Sequence, residues 1–206
     1  MNSSIPCDIV LLPSDELAQK AVAASALLQP LGSAFVLNAN TGPFPHLSLY
    51  MTQLKEGDLD TVKDIVAVIA GQTPIFDLTA DSYFQAEGYI DPNYEPVDRL
   101  AALQMAVVNA INPIRDGMRA KDQVRMESAT GVIRKNLETY GYKSVGQLFR
   151  PHMTIARLQS AETIDTTFLP AATDFSGAFT KLGLFEMGDN GTCVRKIAEF
   201  DLAAGR

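Results

Sequence analysis

Histidine is scarce in this 206-residue chain, with only His46 and His152 present. A histidine-built metal site therefore has little to draw on. Cysteine is equally scarce. Cys7 and Cys193 are too few for a disulfide scaffold or a structural zinc site, and they read as buried reduced thiols. No apolar run approaches the roughly 20 residues needed to span a bilayer. The early run Ile9 to Leu12 is too short for a signal-peptide core, and no basic residue precedes it. Positive charge is in the minority: 17 Lys and Arg stand against 24 Asp and Glu, for a net charge of −7. A duplex-DNA binder displaces counterions with a surplus of cations, so duplex DNA is not an expected partner, nor is a membrane. A small anionic substrate in a local pocket remains compatible. Also missing are a Gly-x-x-x-x-Gly-Lys-Ser/Thr loop, a Gly-x-Gly-x-x-Gly turn and a His-Glu-x-x-His helix. Gly141 to Gly146 is one residue too long for a nucleophile elbow. The expectation is a cytoplasmic protein with no cofactor and no metal.

What is present can build a core. Hydrophobic residues make up 47% of the chain and charged residues 20%, which argues against global disorder. Ile5 to Leu12 reads as a buried strand. Ser14 then caps a helix carrying Leu17, Ala21, Ala24 and Leu28. Ala34 to Asn38 reads as extended and His46 to Met51 as a strand. Leu59 to Ile69 and Val97 to Ile111 carry apolar stripes at helical spacing. Ile75 to Ala80 and Tyr83 to Ile90 look like paired strands, and Ala129 to Tyr140 like a helix closed by Gly141. Arg150 to Leu158 is expected to be a strand. Gly188-Asp189-Asn190-Gly191 marks a hairpin between two final strands. The pattern implies an α+β fold with mostly antiparallel sheet. No linker divides residues 1–206, so one domain is expected.

One short signal repeats. Phe44-Pro45-His46-Leu47-Ser48-Leu49-Tyr50 matches Arg150-Pro151-His152-Met153-Thr154-Ile155-Ala156. With 11 prolines in the chain, a proline before both histidines arises by accident about once in 350. Strand alternation puts His46, Ser48 and Tyr50 on one face, and His152, Thr154 and Ala156 on another. Each such face presents an imidazole beside a hydroxyl. Imidazole titrates near ~6.5, so two of them can serve as general base and general acid on either side of one phosphorus. Each transfer contributes ~10²–10⁴ in rate. The hydroxyls can donate to phosphate oxygens. Tyr50 shares the His46 face and is a candidate pocket wall. Arg150 lies on the His152 side if the strand is regular through Pro151, whereas Arg157 faces away.

This arrangement resembles the 2H phosphoesterase superfamily, with its two His-x-Ser/Thr-x motifs. It is most similar to the branch of 2′-5′ RNA ligase-like proteins and RNA cyclic phosphodiesterases. The run from Phe149 to Arg157 looks very like that branch's second motif. The resemblance implies two pseudo-symmetric α/β lobes facing a central cleft, a metal-independent reaction, His46 and His152 as catalytic residues, and Ser48 and Thr154 as phosphate binders. The implied substrates are 2′,3′-cyclic or 2′-5′ phosphodiesters of RNA ends or nucleotides. Two other readings use the same cleft: a module that holds a nucleotide or RNA end without turnover, and 2′-5′ RNA ligation. The motifs lie 106 positions apart, which is long for the family and implies an insertion within 113–128. Residues 115–135 also hold six basic side chains, which read either as a solvated surface or as a guide for an RNA end.

Overall fold

A computed structural model describes residues 3–204. Its centre is β1 (Ser4–Pro13), which is buried almost throughout. It lies between β2 (Leu47–Lys55) and β7 (Gly177–Met187), antiparallel to both. With one strand on each side and both faces covered, most of Ile5 to Leu12 is buried, which explains why the run lacks alternation. β7 also pairs with β3 (Phe76–Leu78) and β8 (Cys193–Asp201), completing a five-stranded sheet.

Three helices pack on this sheet. α1 (Asp15–Leu28) begins at Ser14, whose Oγ accepts from the Leu17 amide as expected of an N-cap. α2 (Leu59–Gln72) lies on β7 and β8. α3 (Asp98–Ile111) lies on β2, and its stripe Leu100, Leu103, Val107, Val108 and Ile111 is buried. Each such side chain contributes about 1.5–3 kcal/mol on leaving water. The opposite face of β1 carries Asp8, Val10 and Leu12; the last two join Phe44, Phe185 and Cys193 in a smaller cluster.

A second antiparallel sheet consists of β4 (Ala80–Ala86), β5 (Tyr89–Tyr94) and the short β6 (Ala156–Arg157). Two expectations are corrected here. Tyr83 to Ile90 is not one strand paired with Ile75 to Ala80: Glu87 and Gly88, at φ 53° and 82°, turn the chain so that β4 pairs with β5, while β3 joins β7. Gly88 is required twice over, because a Cβ there would lie 2.3 Å from the Leu158 carbonyl oxygen. Arg150 to Leu158 runs extended along β5, but only β6 is regular strand. Pro92 of β5 has no N–H to give, and the ladder thins to single bonds such as Met153 N–H to the Pro92 carbonyl.

The segment where an insertion is expected, 113–128, contains α4 (Ala120–Ser128). α5 (Gly131–Tyr140) ends at the left-handed Gly141, as expected. The Gly188–Gly191 turn joins β7 to β8. No helix among the described residues is long and apolar enough to cross a membrane.

Candidate active site

The two histidine segments arrive from different sheets and end in the same local structure. His46 precedes β2, beside β1; His152 lies beside β5. Each Nδ1 sits 2.7 Å from the carbonyl oxygen of the residue two positions earlier, Phe44 or Arg150. A carbonyl only accepts, so Nδ1 carries the proton of each neutral ring and Nε2 is the basic nitrogen. The hydroxyl two residues on donates to an aspartate of the neighbouring strand: Ser48 Oγ to Asp8 Oδ2 at 2.6 Å, and Thr154 Oγ1 to Asp91 Oδ1 at 2.8 Å. Each Nε2 lies 3.8 Å from Oδ2 of that aspartate.

His46, Ser48, Arg150, His152 and Thr154 line one cavity of about 440 Å³. Five of the six sequence candidates therefore converge. Tyr50 does not. It is fully buried, and its hydroxyl donates to the Tyr140 carbonyl at 2.6 Å and lies 3.1 Å from Asn112 Oδ1. The cause is a bulge. Ile9 pairs with Tyr50 and Val10 with Ser48, leaving Leu49 as an extra residue. The extra residue resets alternation, and Met51 takes the place in the cavity lining that Tyr50 was expected to hold. Buried Gln104 of α3 donates to the Leu49 carbonyl at 3.3 Å. Arg157 stays out of this lining, as alternation requires.

The electrostatics of the two halves differ. Burial lowers His46 to about 4; the Phe44 carbonyl opposes this, and the charge of His152 adds to it. Burial also lowers His152, while Asp91 pulls it back up and Arg150 pushes it down. Asp8 is pushed up to about 7 by burial, against the Ser48 hydrogen bond and the Arg119 charge. Its Oδ1 is buried without a partner among the described residues. An uncompensated oxygen of this kind favours the neutral acid. Asp91 instead receives Arg150 Nη2 at 2.6 Å, and Arg150 also bonds Asn93. The hydroxyl protons have a further consequence. Ser48 can turn its single proton toward a ligand without leaving Asp8 unpaired only when Asp8 carries a proton of its own to donate back, whereas Thr154 can turn because Arg150 still holds Asp91.

Asp8, His46 and Cys193 each place a potential ligand atom within 4.8 Å of the others. Burial pushes the Cys193 thiol well above its ordinary value.

Sequence reasoning missed the two aspartates. Their signal was available: Asp8 interrupts Cys7-Asp8-Ile9-Val10, and an acid inside a buried apolar strand needs a partner. Of the basic residues in 115–135, Arg119, Lys121 and Arg125 line the cavity, together with Lys143 further on. Arg115 is bound by Asn112 and Gly117, and Arg134 by Glu138.

The paired histidine-hydroxyl motifs thus face one cavity from two antiparallel sheets, and solved structures share the fold. E. coli LigT complexed with phosphate superposes with a TM-score of 0.59 at 14% identity, over 97% of this chain and 98% of that one. A structure described as a phosphoesterase gives 0.61 at 14%, over 98% and 99%. E. coli LigT complexed with 3′-AMP gives 0.59 at 15%, over 98% and 99%. These likenesses are of fold. A sequence comparison with curated proteins finds no match. The family model described as "Protein of unknown function (DUF1045)" matches residues 53–185, more than half of the chain, and the protein belongs to that family.

Proposed function

We propose that the protein is a metal-independent phosphodiesterase that hydrolyses 2′,3′-cyclic or 2′-5′ phosphodiester bonds of nucleotides or RNA ends in the cytoplasm. The observation that carries this reading is the duplicated ring geometry: two imidazoles, each with Nδ1–H held by a carbonyl at 2.7 Å, in the lining of one cavity. His46, neutral down to about 4, is the base. His152, beside the Asp91 carboxylate, is the acid. In the cyclic case His46 Nε2 takes a proton from water as the water oxygen bonds to phosphorus. The bond from phosphorus to one ribose oxygen breaks, and His152 protonates that oxygen, leaving a phosphomonoester. Thr154, Arg150 and Ser48, the last with its proton freed by neutral Asp8, surround the anionic oxygens as charge builds there. The phosphate and 3′-AMP held by the LigT structures support a ligand of nucleotide size.

Incubation with nucleoside 2′,3′-cyclic phosphates tests the reading. Wild type is expected to release a single monoester, and His46→Ala and His152→Ala each to lose about 10²–10⁴ in kcat. Binding without turnover by wild type would favour the module that holds but does not cleave.

A further inference from the structure

The cavity is more cationic than one phosphodiester requires. Arg119, Lys121, Arg125, Lys143 and Arg150 line it, in a chain of net charge −7. Three of these are already engaged. Arg119 and Arg125 bond the buried Asp122, and Arg150 bonds Asp91. Lys121 and Lys143 have no ion pair among the described residues, although Glu87 lines the same cavity. Burial lowers both ammonium groups, and the Arg125 charge lowers them further, so an anion between them relieves repulsion. Tyr89 fixes where this cluster lies. Lys121 Nζ stands 5.8 Å from its ring centroid and the Arg157 guanidinium 5.0 Å. Tyr89 and Asp91 share a face of β5 two residues apart, a step of about 7 Å along an extended strand. Asp91 anchors Thr154 and lies beside His152. Lys121 therefore lies about one strand step from the residues beside His152, and Lys143 lines the same cavity.

We propose that Lys121 and Lys143, with Arg125 beside them, form a second phosphate subsite for a phosphate group carried by the same substrate molecule as the scissile phosphodiester. This inference rests on the hydrolytic reading above and narrows it. The substrate bears two phosphates separated by about one nucleoside, and the second contributes binding through charge-assisted hydrogen bonds.

The test compares kcat/KM for three substrates: adenosine 2′,3′-cyclic phosphate, the same compound with a 5′-phosphate, and a dinucleotide ending in a 2′,3′-cyclic phosphate. Wild type is expected to prefer one of the latter two by about tenfold or more, mostly in KM. Preference for the 5′-phosphate names a terminal monoester as the ligand, and preference for the dinucleotide names an internucleotide phosphate. Either preference is expected to collapse toward unity in Lys121→Ala/Lys143→Ala and to survive in Lys63→Ala, which lies outside the cavity lining. Equal rates for all three substrates, or a preference the double variant keeps, overturn the subsite. If none of the three is cleaved, the hydrolytic reading fails on its own. Calorimetry with adenosine 3′,5′-bisphosphate against 3′-AMP then decides the subsite: tighter bisphosphate binding that the double variant loses supports it, and equal binding overturns it.

Discussion

Asp8 and Asp91 hold equivalent positions behind the two histidine motifs, yet their surroundings are opposite. Asp8 accepts from Ser48 with its other oxygen buried and unpartnered, whereas Asp91 accepts from Thr154 and is clamped by Arg150. One half of the site thus holds an uncompensated acid and the other a neutralised ion pair.

Asp8 makes stability depend on pH in a defined direction. Its carboxyl rises from 3.8 to about 7 on folding. Between those values the folded protein keeps a proton that the unfolded chain has released, so this group costs stability as pH climbs, fully so above about 7. Asparagine cannot ionise. The unfolding free energy of Asp8→Asn relative to wild type is expected to grow from about pH 4 to about 7 and then level off, by up to about 4 kcal/mol. Thermal or denaturant unfolding at several pH values checks this; a difference that shrinks with rising pH contradicts it.

Asp91 acts through its neighbours. Its charge raises His152 against the lowering effect of burial. Asp91→Asn removes that support and halves the anchorage of Arg150. The descending limb of the pH–rate profile is expected to move to lower pH, with kcat reduced about tenfold or more. A purely structural role would lower activity without moving that limb.

The wild-type profile follows from the same shifts. With His46 as base, the rate rises as pH climbs through about 4. With His152 as acid, it falls as pH passes a value below the usual 6.5. The result is a bell with its maximum on the acidic side of neutrality, its limbs belonging to the pair. A kcat/KM profile still rising at pH 8 would falsify the role assignment.

Much of this site was legible because Pro-His-x-Ser/Thr is a local word, and strand alternation carries the imidazole and hydroxyl to one face without tertiary information. Alternation failed where long-range pairing intervened. Nothing in Leu49-Tyr50-Met51 announces that β1 will leave Leu49 as an extra residue, since the bulge depends on register against Ile9 and Val10. Glu87-Gly88 was missed because glutamate at a positive φ is a weak turn signal, stabilised here by the close approach of Leu158. The cationic face of α4 was visible as composition, but its aim into the cavity was not.

The bulge gives a paired test. Tyr50→Phe deletes a buried hydroxyl that bonds Tyr140 and Asn112, and is expected to cost about 1–3 kcal/mol of stability while leaving kcat/KM within about twofold. Met51→Ala opens the cavity wall and is expected to raise KM with little change in kcat. Urea unfolding and steady-state kinetics on both variants separate the roles. The reverse pattern returns Tyr50 to the pocket.

The cluster of Asp8, His46 and Cys193 supplies the last test. A metal ion held there would occupy the His46 nitrogen that the proposed reaction needs as base, so the two uses exclude each other. Two-histidine catalysis expects activity to persist, within about twofold, after exhaustive treatment with EDTA. It also expects Cys193→Ala to keep the wild-type pH profile, because the thiol, raised well above its usual value by burial, takes no part in proton transfer. Cys193 packs with Val10, Leu12, Phe44 and Phe185, so Cys193→Val serves as the second variant where the smaller side chain unfolds the protein. Loss of activity on chelation, restored by a divalent cation in wild type but not in the cysteine variant, would replace the acid–base pair with a metal centre.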